Sequence, residues 1–321
     1  MKPKMQFIFF LLLPFLLFKS QTIIQGVIKN EENKTLSYCA IGIKDTNVGT
    51  ITDARGFYKI IIPNEFQNKN IIIKAEGYLE QNFNFLELTA NPNVILKFKT
   101  ESIKEVILTA KKLKEKTIGQ KSRPLLTFSK MFDKNVPTIE QGKIFDIYKK
   151  TKLKSYSFHI IPSSKYEQIT LKLNVYNVKN ALPNQSVLSE NIIYKTSASG
   201  WQTVDLRNYK LLLNNLDKIA ITLQLVDYIP LKDTDFVFGI SAKKSLSKNL
   251  MFRFQSQSQW EKSEGTFLTN LNVGYDKKGT TVIDTKNIND EPAENHLEKE
   301  LISFYKGREE GLKTIYGKNP N

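Results

Sequence analysis

Two runs of strict alternation limit the folds open to this chain more than any other feature. Ile169, Leu171, Leu173 and Val175 alternate with Thr170, Lys172, Asn174 and Tyr176, and Ile219, Ile221, Leu223 and Leu225 alternate with Ala220, Thr222, Gln224 and Val226. Successive side chains of a β-strand point to opposite faces, so a period of two over eight residues describes a strand with one face in a core. Asp235–Ile240 and Leu250–Phe254 supply further short apolar runs, and Trp201 and Val204-Asp205-Leu206 follow Gly200. Residues 151–276 therefore predict an antiparallel, jelly-roll-like sandwich.

The first hundred residues carry the same signal in shorter pieces. Ile23–Ile28, Tyr38–Ile43, Gly49–Thr52, Phe57–Ile62, Asn70–Ala75, Val94–Phe98 and Glu105–Thr109 read as strands, separated by turn-forming residues such as Pro63-Asn64 and Glu76-Gly77. The turn at Asp53-Ala54-Arg55-Gly56 is the sharpest. Asp at the first position accepts backbone N–H bonds, and Gly at the fourth tolerates the exit geometry of a type I turn. Strands every eight to twelve residues, with almost no helical periodicity, predict an all-β chain.

Gly26-Val27, the run Cys39-Ala40-Ile41-Gly42-Ile43, Gly49-Thr50 through Asp53 to Gly56-Phe57, and Gly77-Tyr78 occur in the order found in the carboxypeptidase regulatory-like domain, which residues 22–110 resemble. The resemblance implies a seven-stranded, transthyretin-like sandwich of a kind common in exported proteins of the Bacteroidetes type, with no catalytic residues of its own. The second sandwich more weakly resembles an uncharacterised β-rich domain that often follows this module.

Lys2 and Lys4 precede an uninterrupted apolar stretch from Phe7 to Phe18. It is too short for a membrane-spanning helix, which needs about 20 residues, and suits the core of a signal peptide. Residues 1–20 are expected to be a leader and the protein to be exported, to the periplasm, the outer-membrane surface or beyond. Cys39 is the only cysteine, which excludes an internal disulfide and reads as a small buried hydrophobe.

The net charge of +15 is concentrated in one place. Residues 113–160 hold 11 basic and 4 acidic side chains, directly after Lys111-Lys112 and beginning with Lys114 and Lys116. This pattern predicts a basic linker over 113–150 between domains at 21–112 and 151–276, with an anionic envelope surface as a candidate partner. Aromatics do not interleave with the lysines as a single-strand-binding groove requires, so nucleic acid is not expected. The polar tail 277–321 contains Leu297, Leu301, Ile302 and Tyr305 at helical spacing, predicting a short amphipathic helix.

Catalytic patterns are sparse. Of the two histidines, His159 precedes Ile160-Ile161-Pro162 and His296 precedes Leu297-Glu298-Lys299, so neither opens a zinc-peptidase motif. The sequence has no Gly-x-Ser-x-Gly elbow and no glycine-rich phosphate loop. No catalytic, metal or cofactor residue is assigned. Asp205, Asp233, Asp235, Glu261 and Glu264 are acids available to a glycan-directed hydrolase in the second domain, which is one alternative. A small outer-membrane barrel is another, because lipid-facing strands also alternate, although the chain ends in Asn321 rather than an aromatic. The reading preferred over both is a non-enzymatic binding or scaffolding protein of the cell envelope, with a glycan or an outer-membrane protein as partner. The first sandwich would be its spacer or docking module and the second its recognition domain. Aromatic side chains of the second sandwich are the candidate ligand contacts: Trp260 as the exposed one, Tyr228, and Trp201, for which a core position is the stronger reading.

Overall fold

The computed structural model describes residues 21–99 and 113–276, apart from 134, 135, 137, 233–235, 247 and 248. It is nearly all β, built as two two-layered sandwiches. The expected leader, the Glu105–Thr109 strand and the tail helix lie outside the described residues.

The first sandwich holds seven strands: β1 (Gln21–Asn30), β2 (Ala40–Ile43), β3 (Gly49–Ile51), β4 (Phe57–Pro63), β5 (Ile71–Lys74), β6 (Gln81–Phe83) and β7 (Val94–Leu96). One sheet runs β4-β1-β7 and the other β3-β2-β5-β6. Between them Ile24, Ile28, Ile41, Ile43, Tyr58, Ile60, Ile62 and Ile73 form a closed core. β1 pairs antiparallel with β4 and parallel with β7. The turn between β3 and β4 forms as its residues predict: Gly56 N–H bonds the Asp53 carbonyl, and the Asp53 carboxylate accepts from the backbone of Arg55 at 2.8 Å and Phe57 at 2.9 Å. Cys39 is fully buried, and burial pushes its thiol up to about 11. A short α-helix, α1 (Phe85–Ala90), opens on a capping box in which Asn84 and Glu87 bond each other's backbone N–H.

The second sandwich contains β8 (Lys114–Gly119), β9 (Phe128–Met131), β10 (Glu140–Asp146), β11 (Lys150–Ile160), β12 (Gln168–Lys179), β13 (Leu182–Ser186), β14 (Ile192–Thr196), β15 (Gly200–Asp205), β16 (Leu212–Asn214), β17 (Lys218–Ile229), β18 (Gly239–Lys243), β19 (Leu250–Arg253), β20 (Glu261–Ser263), β21 (Thr266–Phe267) and β22 (Thr269–Asp276). One sheet follows β13-β12-β17-β10-β19-β20, with β14 also on β12. The other follows β21-β18-β11-β22-β8, with β15 and β16 on β11 and β9 on β18. Leu153, Tyr156, Phe158, Leu171, Leu173, Ile221, Leu223, Ile240, Leu271 and Val273 fill the space between them. An apolar filling of this kind leaves no polar lumen, so the barrel alternative is set aside.

Two expectations need correction. Residues 113–150 are not a linker: β8, β9 and β10 are integral strands of the second sandwich, because Phe145, Ile147 and Tyr148 join its core and Ile118 and Phe128 pack against it. Their lysines masked this: Lys114 and Lys116 occupy exposed positions on the edge strand β8, where lysines protect an edge from unwanted pairing, and Lys130 and Lys143 are buried on β9 and β10.

The alternating strands also do not have one wet face. On β12 the polar row Thr170, Lys172, Asn174 and Tyr176 is as buried as the apolar row, because the first sandwich covers it. Lys172 Nζ bonds the Tyr38 carbonyl at 3.1 Å and lies 3.9 Å from Glu76, while Ser186 bonds Glu76 at 2.6 Å. Asn191 bonds the Ser37 carbonyl, Ser256 the Thr50 carbonyl, and Asp45 N–H the Gln257 carbonyl. Gly77, at φ +82°, lets the Ser189 carbonyl approach to where a Cβ would lie 2.2 Å away. The two sandwiches share a polar, tightly fitted seam.

Candidate functional site

Two places concentrate polar chemistry. The first lies at the seam, on the buried outward face of β10, β12, β17 and β19. Glu140, 1% exposed, receives bonds from Asn174 at 2.9 Å, Tyr176 at 2.8 Å, Arg253 at 2.8 Å and Thr222. Burial alone would raise the Glu140 carboxyl, but the Arg253 charge and these donors outweigh it and hold it below the usual carboxylate range. Burial, then the neighbouring Glu140 charge, pushes the Tyr176 phenol well up. Every acceptor site of the carboxylate faces a donor, so the cluster locks strands together rather than offering a free acid or base.

The second place is the outer face of the other sheet. On β11 the side chains of Tyr156, Phe158 and Ile160 enter the core, which turns Ser155, Ser157 and His159 outward. Register sets Trp201 beside His159, Thr203 beside Ser157 and Asp205 beside Ser155 on β15; on the other side Asn270 lies beside Ser157 and Asn272 beside Ser155. Thr117 of β8 extends the row past Asn272. Ser157 and Thr203 share a 2.9 Å hydrogen bond, His159 Nδ1 and Ser241 another. The Asn272 side-chain oxygen is buried with no hydrogen-bond partner among the described residues.

This face is a grid of hydroxyls, amides and one imidazole, with carboxylates at its margins: Asp205, tied to Arg207 at 2.6 Å, and Glu115, ion-paired to Lys154. Burial, then the charge of Arg123, lowers the His159 pKa and favours the neutral ring. The His159 ring meets the Trp201 indole edge-on at 5.4 Å, and Trp201 remains 36% exposed. An exposed indole beside neutral donors and acceptors can stack on an apolar ring face while bonding its hydroxyls.

The aromatic expectations change places. Trp201, expected in the core, stands on the surface because Gln202 and Val204 are the buried residues of its strand. Trp260, expected outside, is half-buried at the seam, with Tyr176 edge-on at 5.8 Å and the Arg253 guanidinium over its ring at 4.5 Å. Tyr228 packs on Phe236 at 4.3 Å near the end of β17. The three do not form one site. The sequence reading weighs His159 only as a zinc ligand and passes over Ser155 and Ser157, although their alternation with Tyr156, Phe158 and Ile160 marks an uncharged strand face.

Of the other candidates, Lys114 and Lys116 lie on β8, with Lys116 bonded to the Tyr148 hydroxyl at 3.0 Å; Lys111 and Lys112 lie outside the described residues. Glu261 is on β20 and Glu264 in the turn after it. Asp233 and Asp235 lie outside the described residues. Among the described residues no cluster of three or more His, Cys, Asp or Glu side chains is placed to hold a metal. In the first sandwich Gly26 leaves room for the Pro92 carbonyl, Gly49 faces Gln255, and Tyr78 stacks on Phe98 at 5.0 Å, while Phe57 is exposed.

Among solved structures, the chain overlaps the cysteine protease and lectin-like domains of Cwp84, a surface-layer-associated protein of Clostridium difficile. The identity is 12% and the TM-score 0.37, over 75% of this chain and 59% of that one. It also overlaps the infectious bursal disease virus Gt strain structure at 8% identity and a TM-score of 0.25, over 90% and 72%. The chain thus spans less than two thirds of the Cwp84 fragment, and overlaps this loose carry no argument about function. No curated protein matches the sequence. Residues 24–108 match the CarboxypepD_reg-like domain family, in agreement with the strand order, the Asp53–Gly56 turn and the positions of Gly26 and Gly77, and the first sandwich is a member of that family, a carboxypeptidase regulatory-like domain.

Proposed function

We propose that this chain is a non-enzymatic, exported binding protein of the cell envelope, in which the seam makes one scaffold of the two sandwiches and the face around Trp201 recognises a neutral glycan. The regulatory-like domain is non-catalytic and suits a scaffolding role. The observation that carries the proposal is the exposed Trp201 indole set among Ser157, His159, Thr203 and Asn270 in a chain of which 25% of residues are charged. Like-facing residues stand about 4.8 Å apart between strands and about 6.7 Å along them, a spacing that sugar hydroxyls can bridge. A hydrolase finds no such support: Glu140, the most deeply buried acid among the described residues, is committed to Arg253.

A glycan array probed with residues 21–321, alongside Trp201→Ala, tests the reading. Binding by the parent that falls at least about tenfold in the variant, a loss of the size expected for one stacked aromatic, supports it. Equal binding by the two would overturn the assignment of the face.

A further inference from the structure

Two stretches of chain emerge side by side at one end of the second sandwich. Phe128 at the start of β9 pairs antiparallel with Ala242 near the end of β18, so the chain entering β9 and the chain leaving β18 lie together. The turn at Gly265 ties them: its N–H bonds the Ser245 carbonyl at 3.1 Å, and a Cβ there would lie 2.7 Å from the Phe128 ring. On these two stretches Leu125 is 97% exposed, Leu126 58% and Leu246 78%. Exposed leucines are ordinary when scattered, but three on adjoining segments are not.

The charged residues on the two stretches themselves are all basic. Lys121 and Arg123 precede the first pair, and Lys243 and Lys244 precede Leu246. No acidic residue occurs between Glu115 and Asp133 or between Asp235 and Glu261. Glu264, in the tying turn, is the neighbouring carboxylate. Behind the stretches lie two further cations, Lys130 at 5% exposure with its ammonium 6.0 Å from the Phe128 ring, and Lys143 at 8% with Nζ 3.3 Å from Thr266 Oγ1. Burial lowers both to about 8, the charge of Lys243 adding to the effect on Lys143. An anionic layer beside them would favour their charged forms.

We infer that Leu125, Leu126 and Leu246, with the basic residues beside them, insert into the headgroup region of an anionic lipid bilayer. A leucine almost wholly exposed touches little of its own protein, so it can enter a soft apolar phase without a matching preformed surface. Apolar tips combined with basic residues give the two signals that stable peripheral attachment requires. The charge of Arg123 acts on His159 beside Trp201, so attachment here would hold the proposed recognition face close to the membrane.

Vesicle co-sedimentation of residues 21–321 tests this, because that span holds every described strand and omits the apolar Phe7–Phe18 stretch, which would itself partition. Phosphatidylcholine vesicles with and without phosphatidylglycerol are the probes. The inference expects binding to the anionic vesicles that weakens with salt, and at least about a tenfold loss for Leu125→Ser/Leu126→Ser/Leu246→Ser. Lys121→Ser/Arg123→Ser/Lys244→Ser should lose binding to the anionic vesicles to a similar degree. Unchanged circular dichroism and melting temperature would show that each variant is folded. Absence of parent binding, equal binding to neutral vesicles, or a leucine variant that binds like the parent would overturn it. Each outcome is read without a glycan, so failure here and failure of the Trp201 assignment are separable.

Discussion

The Arg253 guanidinium reaches the Glu140 carboxylate at 2.6 Å while 85% of the Arg253 side chain and 99% of that of Glu140 are out of water. Such a pair contributes less by its attraction than its loss would cost, because either charge alone is stranded. Glu140→Gln should therefore lower unfolding stability in denaturant titration by about 3–5 kcal/mol. Glu140→Gln combined with Arg253→Met should recover much of that loss.

The same carboxylate predicts acid sensitivity. Its folded-state pKa lies below the ordinary 4.5, so its contribution is complete above about pH 4.5 and disappears as pH falls through the folded value. Between pH 7 and pH 3, Glu140→Gln should lose less stability than the parent; a difference that stays constant over that range would refute this.

Lys143 predicts a slope of the same sign at high pH. Its pKa falls from 10.5 to about 8 on folding, so below pH 8 its buried charge is a full cost. As pH rises from 8 toward 10.5 the folded state sheds a proton that the unfolded chain keeps, and stability rises. Lys143→Met should be more stable than the parent at pH 7 by about 1–3 kcal/mol, with the gap closing by pH 10. Urea titrations at pH 7, 8.5 and 10 would measure both.

Gly77→Ala tests the seam. The left-handed backbone and the 2.2 Å approach to the Ser189 carbonyl leave no space for a methyl group, and the loss should be about 2–4 kcal/mol. Because the strain falls between the sandwiches, calorimetry should show one transition in the parent dividing toward two in the variant.

Asp53→Ala removes the acceptor for two backbone N–H groups in the β3–β4 turn. With that turn exposed, the loss should be near 1 kcal/mol by thermal melting, with the Trp201 face unaffected.

What was legible in the sequence follows from what strands write into it. Ile169 to Val175 declared an apolar face, and Asp53 to Gly56 declared a turn, because both depend on neighbours in sequence. What covers Lys172, Asn174 and Tyr176 depends on Tyr38 and Glu76, about a hundred residues or more away, so a buried polar row looked like a wet one. β8 and β10 were hidden by lysines whose stems or edge positions suit a strand as well as a linker. Helix α1 was too short for periodicity, though Asn84 and Glu87 at capping-box spacing announced it. Trp201 and Trp260 exchanged places because an indole fits a core and a surface equally well, and only strand register decides between them.

Gly49 and Gly77 are among the turns that mark the first sandwich as one of its family, and here both lie against the second sandwich, at Gln255 and Ser189. A regulatory-like domain in this setting is no interchangeable bead on a string. A homologue grafted in its place would have to bring the same two bare backbone positions, or it would wedge the protein open along its middle.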